Sequence, residues 1–251
     1  MSSISIVVII VAILFGSALL AMVAARFLPD HHLSPETKNV VSVSMAVVGT
    51  LSALVLGLLI SSASASFTAK TQEVTQISAD VISLDRLLRR YGPEAQDIRM
   101  LLGRYTAAKL QDLFPENSDQ VPDLENNATI SLLEELQNKV LALLPMNDTQ
   151  RWLQALQLTA AAIAARWQLV QEDVAKTPLP LVVLVLFWFV ILFASFGLFA
   201  PLNITSIAAI FLSSVGVGSA IRMTTELQTP FQGLIRISST PLTHASEVIG
   251  R

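Results

Sequence analysis

Three stretches of this chain carry no charged side chain: residues 1–25, residues 39–69 and residues 177–221. A bilayer core is crossed by roughly 20 consecutive apolar residues. The first two stretches each hold one crossing. The third is long enough for two, and Pro201-Leu202-Asn203 is the place inside it with turn chemistry. The pattern predicts four transmembrane helices. A cleavable signal peptide is the alternative for the first stretch, but such a segment wants a basic leader and an apolar run of only ~7–15 residues. The run Ile4 to Val23 has neither property, so a retained helix is expected.

Between the second and third crossings the periodicity changes. Val74, Ile77, Val81, Leu84, Leu88 and Tyr91 alternate in steps of three and four, a heptad seam continuing directly out of the second crossing. One unbroken helix is expected there. Gly92-Pro93-Glu94 should stop it and start another, with Ile98, Leu101, Leu102, Tyr105 and Leu113 on the buried face. Pro115 to Ala128 is acidic and holds two prolines, which predicts an exposed loop. A helix over Ile130 to Leu144, ended by Pro145, should follow. Asp148 then caps a long helix with the seam Leu153, Leu156, Ala160, Ile163, Trp167, Val170 and Val174. Two seams of similar length, one leaving the membrane and one returning, should pack antiparallel as a stalk or bundle. The run Ala160 to Ala165 is not a fifth crossing, because Arg166 beside it would cost at least ~2.5 kcal/mol at the bilayer centre.

Within the membrane, small residues are patterned. Ser42, Ala46, Gly49, Ala53 and Gly57 share one face of the second crossing, and Ala209, Ser213, Gly216 and Ala220 share one face of the fourth. Two readings stay open: close helix packing, including packing between subunits, or a wet path lined by small hydroxyl-bearing residues. The third crossing is bulky, with Phe187, Trp188, Phe189, Phe193, Phe196 and Phe199 facing lipid or filling between helices. Arg222 and Glu226 lie one turn apart at the end of the fourth crossing, in the weaker order for a helical ion pair. A snorkelling anchor is therefore expected of Arg222, with a cationic ring at a channel mouth as the alternative. Pro230 should stop the helix, Phe231 should dock, and Gly233 should permit the next turn.

Composition agrees with lipid as solvent: of 251 residues, 53% are hydrophobic and 14% charged, against ~25% charged in an average soluble domain. A formal net charge of -3 leaves no footprint for nucleic acid. The absence of cysteine removes disulfides, thiolate metal sites and a cysteine nucleophile. No catalytic constellation is present, and neither enzyme activity nor a cofactor is expected. Asp30, His31, His32 and Glu36 could be imagined around a metal, but Ser34-Pro35-Glu36 reads better as an ordinary helix start. Arg86 and Arg90 belong to an arginine cluster that could attract anions at a vestibule. Asp80, Asp85, Glu94 and Asp97 lie among these arginines, which favours a solvated, salt-bridged surface. Lys70, Arg166, Lys176, Arg222 and Arg236 lie on one side of the membrane, against Arg26 and Lys38 on the other. The positive-inside rule makes the insert and both termini cytoplasmic. The expected division is 1–66 and 177–222 for the membrane helices, 67–176 for the cytosolic insert and 223–251 for a cytosolic tail.

The segments Phe196-Gly-Leu-Phe-Ala-Pro-Leu-Asn203, Glu226-Leu-Gln-Thr-Pro-Phe-Gln-Gly233 and Ser238-Ser-Thr-Pro-Leu242, with Leu84-Asp-Arg-Leu-Leu88 and Tyr91-Gly-Pro-Glu94 in the insert, are similar to the bacterial bestrophin-like domain family. The resemblance runs from about His31 to Ala245. It implies an all-α fold of four transmembrane helices with a cytosolic helical bundle between the second and third. It also implies a homo-oligomeric anion channel in the bacterial inner membrane, with membrane lipid and inorganic anions as partners. The alternative is a non-conducting scaffold or sensor whose stalk mediates assembly. Bestrophin channels share an aromatic pore constriction and an acidic calcium clasp. Here the second crossing has no aromatic residue before Phe67 and no dense acidic run follows the fourth, so no pore residue carries over.

Overall fold

The computed structural model describes residues 3–29, 33–115, 120–143, 149–174 and 179–249. Eight α-helices occupy them: α1 (Ser3–Ala24), α2 (Pro35–Tyr91), α3 (Gln96–Leu113), α4 (Asn127–Ala142), α5 (Thr149–Val174), α6 (Leu179–Phe199), α7 (Ile204–Leu227) and α8 (Thr240–Ile249). Helices α1, α2, α6 and α7 are each long and apolar enough to cross a membrane. The chain divides into two compact units. One comprises Met1–Ala65 and Thr177–Thr229, the other Ser66–Lys176 and Pro230–Arg251.

In the first unit, α1 lies against both α6 and α7, while α6 and α7 touch each other little. The hairpin expected from residues 177–221 is thus two helices joined mainly through α1. Glycine explains the closeness. A Cβ on Gly197 would overlap the backbone of Ala18, and one on Gly218 would stand 2.9 Å from Val11 Cγ2. Small residues at such positions let helix backbones approach and gain dispersion where lipid offers no hydrophobic drive. Leu14, Ala18 and Met22 of α1 are buried with Val185, Phe189 and Phe193 of α6 and Ile210 and Ile221 of α7. The aromatic helix divides accordingly: Phe189 and Phe193 fill the core, and Phe187 and Phe196 are exposed. Asn203 closes the turn between α6 and α7, its side chain accepting from Ser206 N at 2.7 Å as the N-cap of α7.

At its start α2 has the expected cap, Thr37 N donating to Ser34 Oγ at 3.3 Å ahead of Pro35. The helix then runs unbroken to Tyr91. Gly92 ends it with φ 108°, a left-handed conformation that suits glycine, and Pro93–Ala95 forms a short 3₁₀ turn into α3.

In the second unit the seam Val74, Ile77, Val81, Leu84 and Leu88 is buried as expected. So are Ile98, Leu101, Leu102, Tyr105 and Leu113 of α3. Three expectations need correction. The buried face of α5 is Ala155, Thr159, Ala162 and Ala165, whereas Leu153 and Trp167 of the expected seam are 49% and 53% exposed, and Ala160 is exposed too. Assigning the seam to the bulkiest residues misplaced it, because α5 packs against α4 through alanines. The side chains of Val170 and Val174, like Pro145 and Asp148, lie outside the described residues. Secondly, α4 begins at Asn127, since Asn126 accepts from Ala128 N at 3.0 Å and caps it early. Asn126 Nδ2 and Thr129 Oγ1 in turn donate to the two oxygens of Asp112, at 2.7 and 2.6 Å. That pins the loop's C-terminal end, and Leu124 packs inward while Val121 stays exposed. Thirdly, the segment after Ser239 is a helix: Leu242, Ala245 and Ile249 of α8 are buried, and α8 packs on α3 with Ile249 Cγ2 3.6 Å from where a Cβ on Gly103 would sit.

Candidate functional site

The packing of α1 decides which face of α7 remains uncovered. On α7, Ile210, Ser214, Gly218 and Ile221 turn inward, which leaves Ala209, Ser213 and Gly216 exposed and Ala220 half-buried. On α2, Ser42, Ala46, Ala53 and Gly57 are exposed and Gly49 is half-buried, with Leu192 Cδ1 3.0 Å from where its Cβ would sit. Nothing lies within 4 Å of a Cβ built on Gly57 or Gly216. Both small-residue stripes therefore lie on the surface of the single chain.

Part of each stripe meets in an open cleft of ≈ 620 Å³. Ser42, Ala46 and Gly49 of α2 form one wall, and Ser206, Ala209 and Ser213 of α7 form another. Leu192, Ser195, Phe196 and Phe199 of α6 lie between them, and Lys38 also lines the cleft. Ala53, Gly57, Gly216 and Ala220 do not line it. The hydroxyls differ in use. Ser52 and Ser214, on buried faces, donate to Val48 O and Phe211 O of their own helices, both at 2.7 Å. Ser42 and Ser213 make no hydrogen bond among the described residues, so their hydroxyls are available to whatever occupies the cleft.

At the far end of α7, Arg222 and Glu226 form an ion pair at 3.6 Å despite their unfavourable order. Arg222, expected as a snorkelling anchor, is thus held by a carboxylate one turn further along its own helix. Glu226 is only 6% exposed, and a buried carboxylate requires a cation that a solvated one does not. The segment beyond leaves the first unit at Thr229. Pro230 O accepts from Ile237 N at 2.7 Å, closing a loop in which Gly233 takes φ 91°. Phe231 stacks edge-on against Phe114, their centroids 5.7 Å apart. The family-like motif thus supplies a helix stop, a loop closure and an aromatic dock.

The arginine cluster divides in two. Asp85, fully buried, accepts from Arg99 Nε at 2.8 Å and from Arg89 at 3.3 Å. Arg86 and Arg90 are exposed and form no ion pair among the described residues, so the evenly salt-bridged surface expected from composition is confined to Asp85 and its partners. Among the described residues no cluster of His, Asp or Glu could hold a metal, and Asp30, His31 and His32 lie outside them.

The arrangement has relatives. The family model for the bestrophin-like domain matches residues 10–242. This chain belongs to the bestrophin-like domain family. Its fold resembles that of a bestrophin homologue from Klebsiella pneumoniae solved with a tryptophan-to-alanine substitution, at TM-score 0.73 and 15% identity over 99% of this chain and 97% of that one. An isoleucine-to-threonine variant of a Klebsiella pneumoniae bestrophin homologue matches at TM-score 0.71 and 14% identity, covering 97% of each chain. A structure described only as a membrane protein with a glycine-to-alanine change matches at 0.69 and 14%, over 98% and 96%. No curated protein matches the sequence. The bestrophin-like chain is a multi-pass integral membrane protein of all-α fold, with a large helical insert between the second and third of its membrane-length helices.

Two features of this bestrophin-like fold escaped the sequence reading. Gly197 is the one glycine of a bulky helix, and that was the available signal for the contact with α1. Tyr105 and Lys109 of α3 are a buried polar pair; Tyr105 was expected inside as apolar, and Lys109 gave no pattern.

Proposed function

We propose that the protein conducts ions as a homo-oligomer in the bacterial inner membrane, with small inorganic anions as cargo. The observation that carries this reading is the cleft of α2, α6 and α7. It gathers uncommitted hydroxyls and a lysine on surfaces that the single chain leaves uncovered. Hydroxyl donors and a cation are the groups that replace water around an anion in a pore, and small side chains leave room for it. Membrane helices with exposed glycine faces also call for a second copy, because those faces earn packing energy only against another backbone. Ser42, Gly49, Ala209 and Ser213 are the proposed lining, with Ala53, Gly57, Gly216 and Ala220 at contacts between copies. Arg86 and Arg90 supply the vestibule charge.

We place the insert and both termini in the cytoplasm on the five-to-two bias of basic residues. Residues 1–66 and 177–222 form the membrane part, 67–176 the cytosolic insert and 223–251 the cytosolic C-terminal region. Alkaline phosphatase fused at the C-terminus should be inactive, and activity there would reverse the orientation. For conduction, purified protein in liposomes should pass chloride. Ser213→Phe should cut the flux at least tenfold while leaving the protein assembled. Liposomes that pass neither chloride nor sodium across a range of pH and calcium would refute the proposal.

A further inference from the structure

The tip of a short loop normally carries turn residues and polar groups that face water. The loop closed by Ile237 N and Pro230 O departs from that rule. Its stem is held inward: Phe231 stacks on Phe114, Gln232 Nε2 donates to Gln120 O at 3.3 Å, and Ile237 is buried with Val74, Leu113 and Leu242. Gly233, at φ 91°, turns the chain outward. Leu234 is then 78% exposed and Ile235 37%, and Arg236 is exposed beside them. Val121, also 78% exposed, follows the Gln120 that the loop holds. Three large aliphatic side chains and a guanidinium thus stand in the open on a loop fixed at its base.

What covers them follows from where the chain leaves the bilayer. Two of the three passages between the compact units, Ala65 to Ser66 and Thr229 to Pro230, lead straight into the packing that holds this loop. Phe67, just past the first passage, packs on the cluster of Val74, Leu113, Ile237 and Leu242, and Pro230, directly past the second, closes the loop itself. That cluster is where the second unit receives the chain from the membrane. On α7, Arg222 is the first charge after the crossing, and Leu227 ends the helix about 8 Å of rise beyond it. The polar interface on each side of the hydrocarbon core is about 5–8 Å deep. Leu234, five residues after Thr229, reaches no more than about 18 Å from it. A loop tip so tethered meets headgroups and the first acyl carbons, where leucine and isoleucine leave water and a neighbouring guanidinium snorkels to phosphate. Asp123 and Glu125, exposed in the loop that carries Val121, offset Arg236, so the contact answers to apolar depth more than to the net charge of the leaflet. We propose that Leu234 and Ile235, with Arg236 on phospholipid phosphate, dock this loop of the second unit into the bilayer interface as a membrane attachment additional to the crossing helices. This does not rest on conduction, and its test reads lipid contact, so it can fail while conduction stands.

The chain has no cysteine, so one can be introduced and labelled alone. Leu234→Cys, and Met100→Cys as the control, should each carry a bimane fluorophore on the full-length protein in vesicles of phosphatidylcholine or phosphatidylglycerol. Met100 is 52% exposed and lies about 21 Å along α3 from Phe114, where the loop is docked. In both lipids the label at position 234 should be quenched by a nitroxide on the acyl chain. It should also be about tenfold less accessible to iodide than the label at position 100, the scale set by burying one aliphatic side chain. Adding Ile235→Ser to the Leu234→Cys protein should restore most of the iodide access while helix content by circular dichroism stays that of the wild type. Equal iodide access at the two positions would overturn the proposal. So would a label at position 234 that is shielded from iodide yet untouched by the lipid nitroxide, because a second copy of the chain, and not lipid, would then cover it.

Discussion

Replacing Gly197 with alanine tests the packing that leaves the candidate site uncovered. The added Cβ would fall onto the carbonyl of Ala18, 2.7 Å from its carbon and 2.8 Å from its Cα, where an ordinary contact is 3.4–4 Å. The obstacle is backbone, so no rotamer change relieves it. Helices α1 and α6 must part, and a gap of 0.5–1 Å forfeits about a quarter to a half of each dispersion contact along the seam. Overpacking commonly costs about 1–3 kcal/mol, and this site belongs at about 3, close to a hundredfold in the folded ratio. Gly216→Ala supplies the control. Its Cβ meets nothing within 4 Å, and alanine should gain about 0.5–1 kcal/mol in helix propensity within one chain. Unfolding of both variants in detergent, followed by tryptophan fluorescence, should separate them by roughly 4 kcal/mol on those two figures. A Gly197→Ala protein as stable as wild type would refute the account of α1 as the wedge between α6 and α7.

Asp85→Ala should cost about 3 kcal/mol, the low end for breaking a buried pair because Arg99 keeps some exposure; chemical denaturation would show it, and a loss below about 1 kcal/mol would place Asp85 among solvated charges. Burial raises the Tyr105 phenol to about 12 from 10.0, with Arg166 opposing and Asp112 adding to the shift. Its folded-state pKa lies above its unfolded one, so the fold holds this proton longer than the unfolded chain does. Its share of stability, about 2–3 kcal/mol, is intact below pH 10 and lost as pH rises toward 12. Comparing wild type with Tyr105→Phe over that window should isolate the loss, and parallel curves would contradict it. Burial lowers the Lys109 pKa, so the fold gives up that proton sooner and Lys109 penalises stability less as pH rises. Lys109→Met should accordingly flatten the alkaline stability profile. Asn203→Ala should cost about 1 kcal/mol through the lost cap on α7, seen as a lower melting midpoint; a midpoint equal to the wild type's would mean that the turn holds without the cap.

Much of this fold is legible along the chain because lipid imposes a one-dimensional rule. Charge-free stretches of helical length must be spanning helices, and Ser34-Pro35, Gly92-Pro93 and Asn203 mark starts and stops through local backbone chemistry. The heptad seam of α2 reads correctly since its residues are large and its partners surround it. The α5 seam does not, for alanine carries almost no hydrophobic weight in a periodicity count yet permits the closest approach. The α8 helix hid within a short segment whose Leu242, Ala245 and Ile249 match one helical face only when α3 is there to receive them.

The candidate site shows the same division. From spacing alone, Ser42, Gly49, Ala209 and Ser213 are small residues on two helix faces, and nothing local says whether those faces are buried or open. Which face α1 covers is decided by contacts between residues far apart in sequence, Gly197 with Ala18 and Gly218 with Val11. The burial of the Tyr105 hydroxyl without a hydrogen-bond partner among the described residues is likewise invisible along the chain. The sequence by itself determined that this chain lives in a membrane, how many times it can cross, where its helices begin and which family it belongs to, because those follow from solvent and local geometry. Only the tertiary structure decided which small residues face a cleft and which donors lack acceptors, because both depend on what another helix has already occupied.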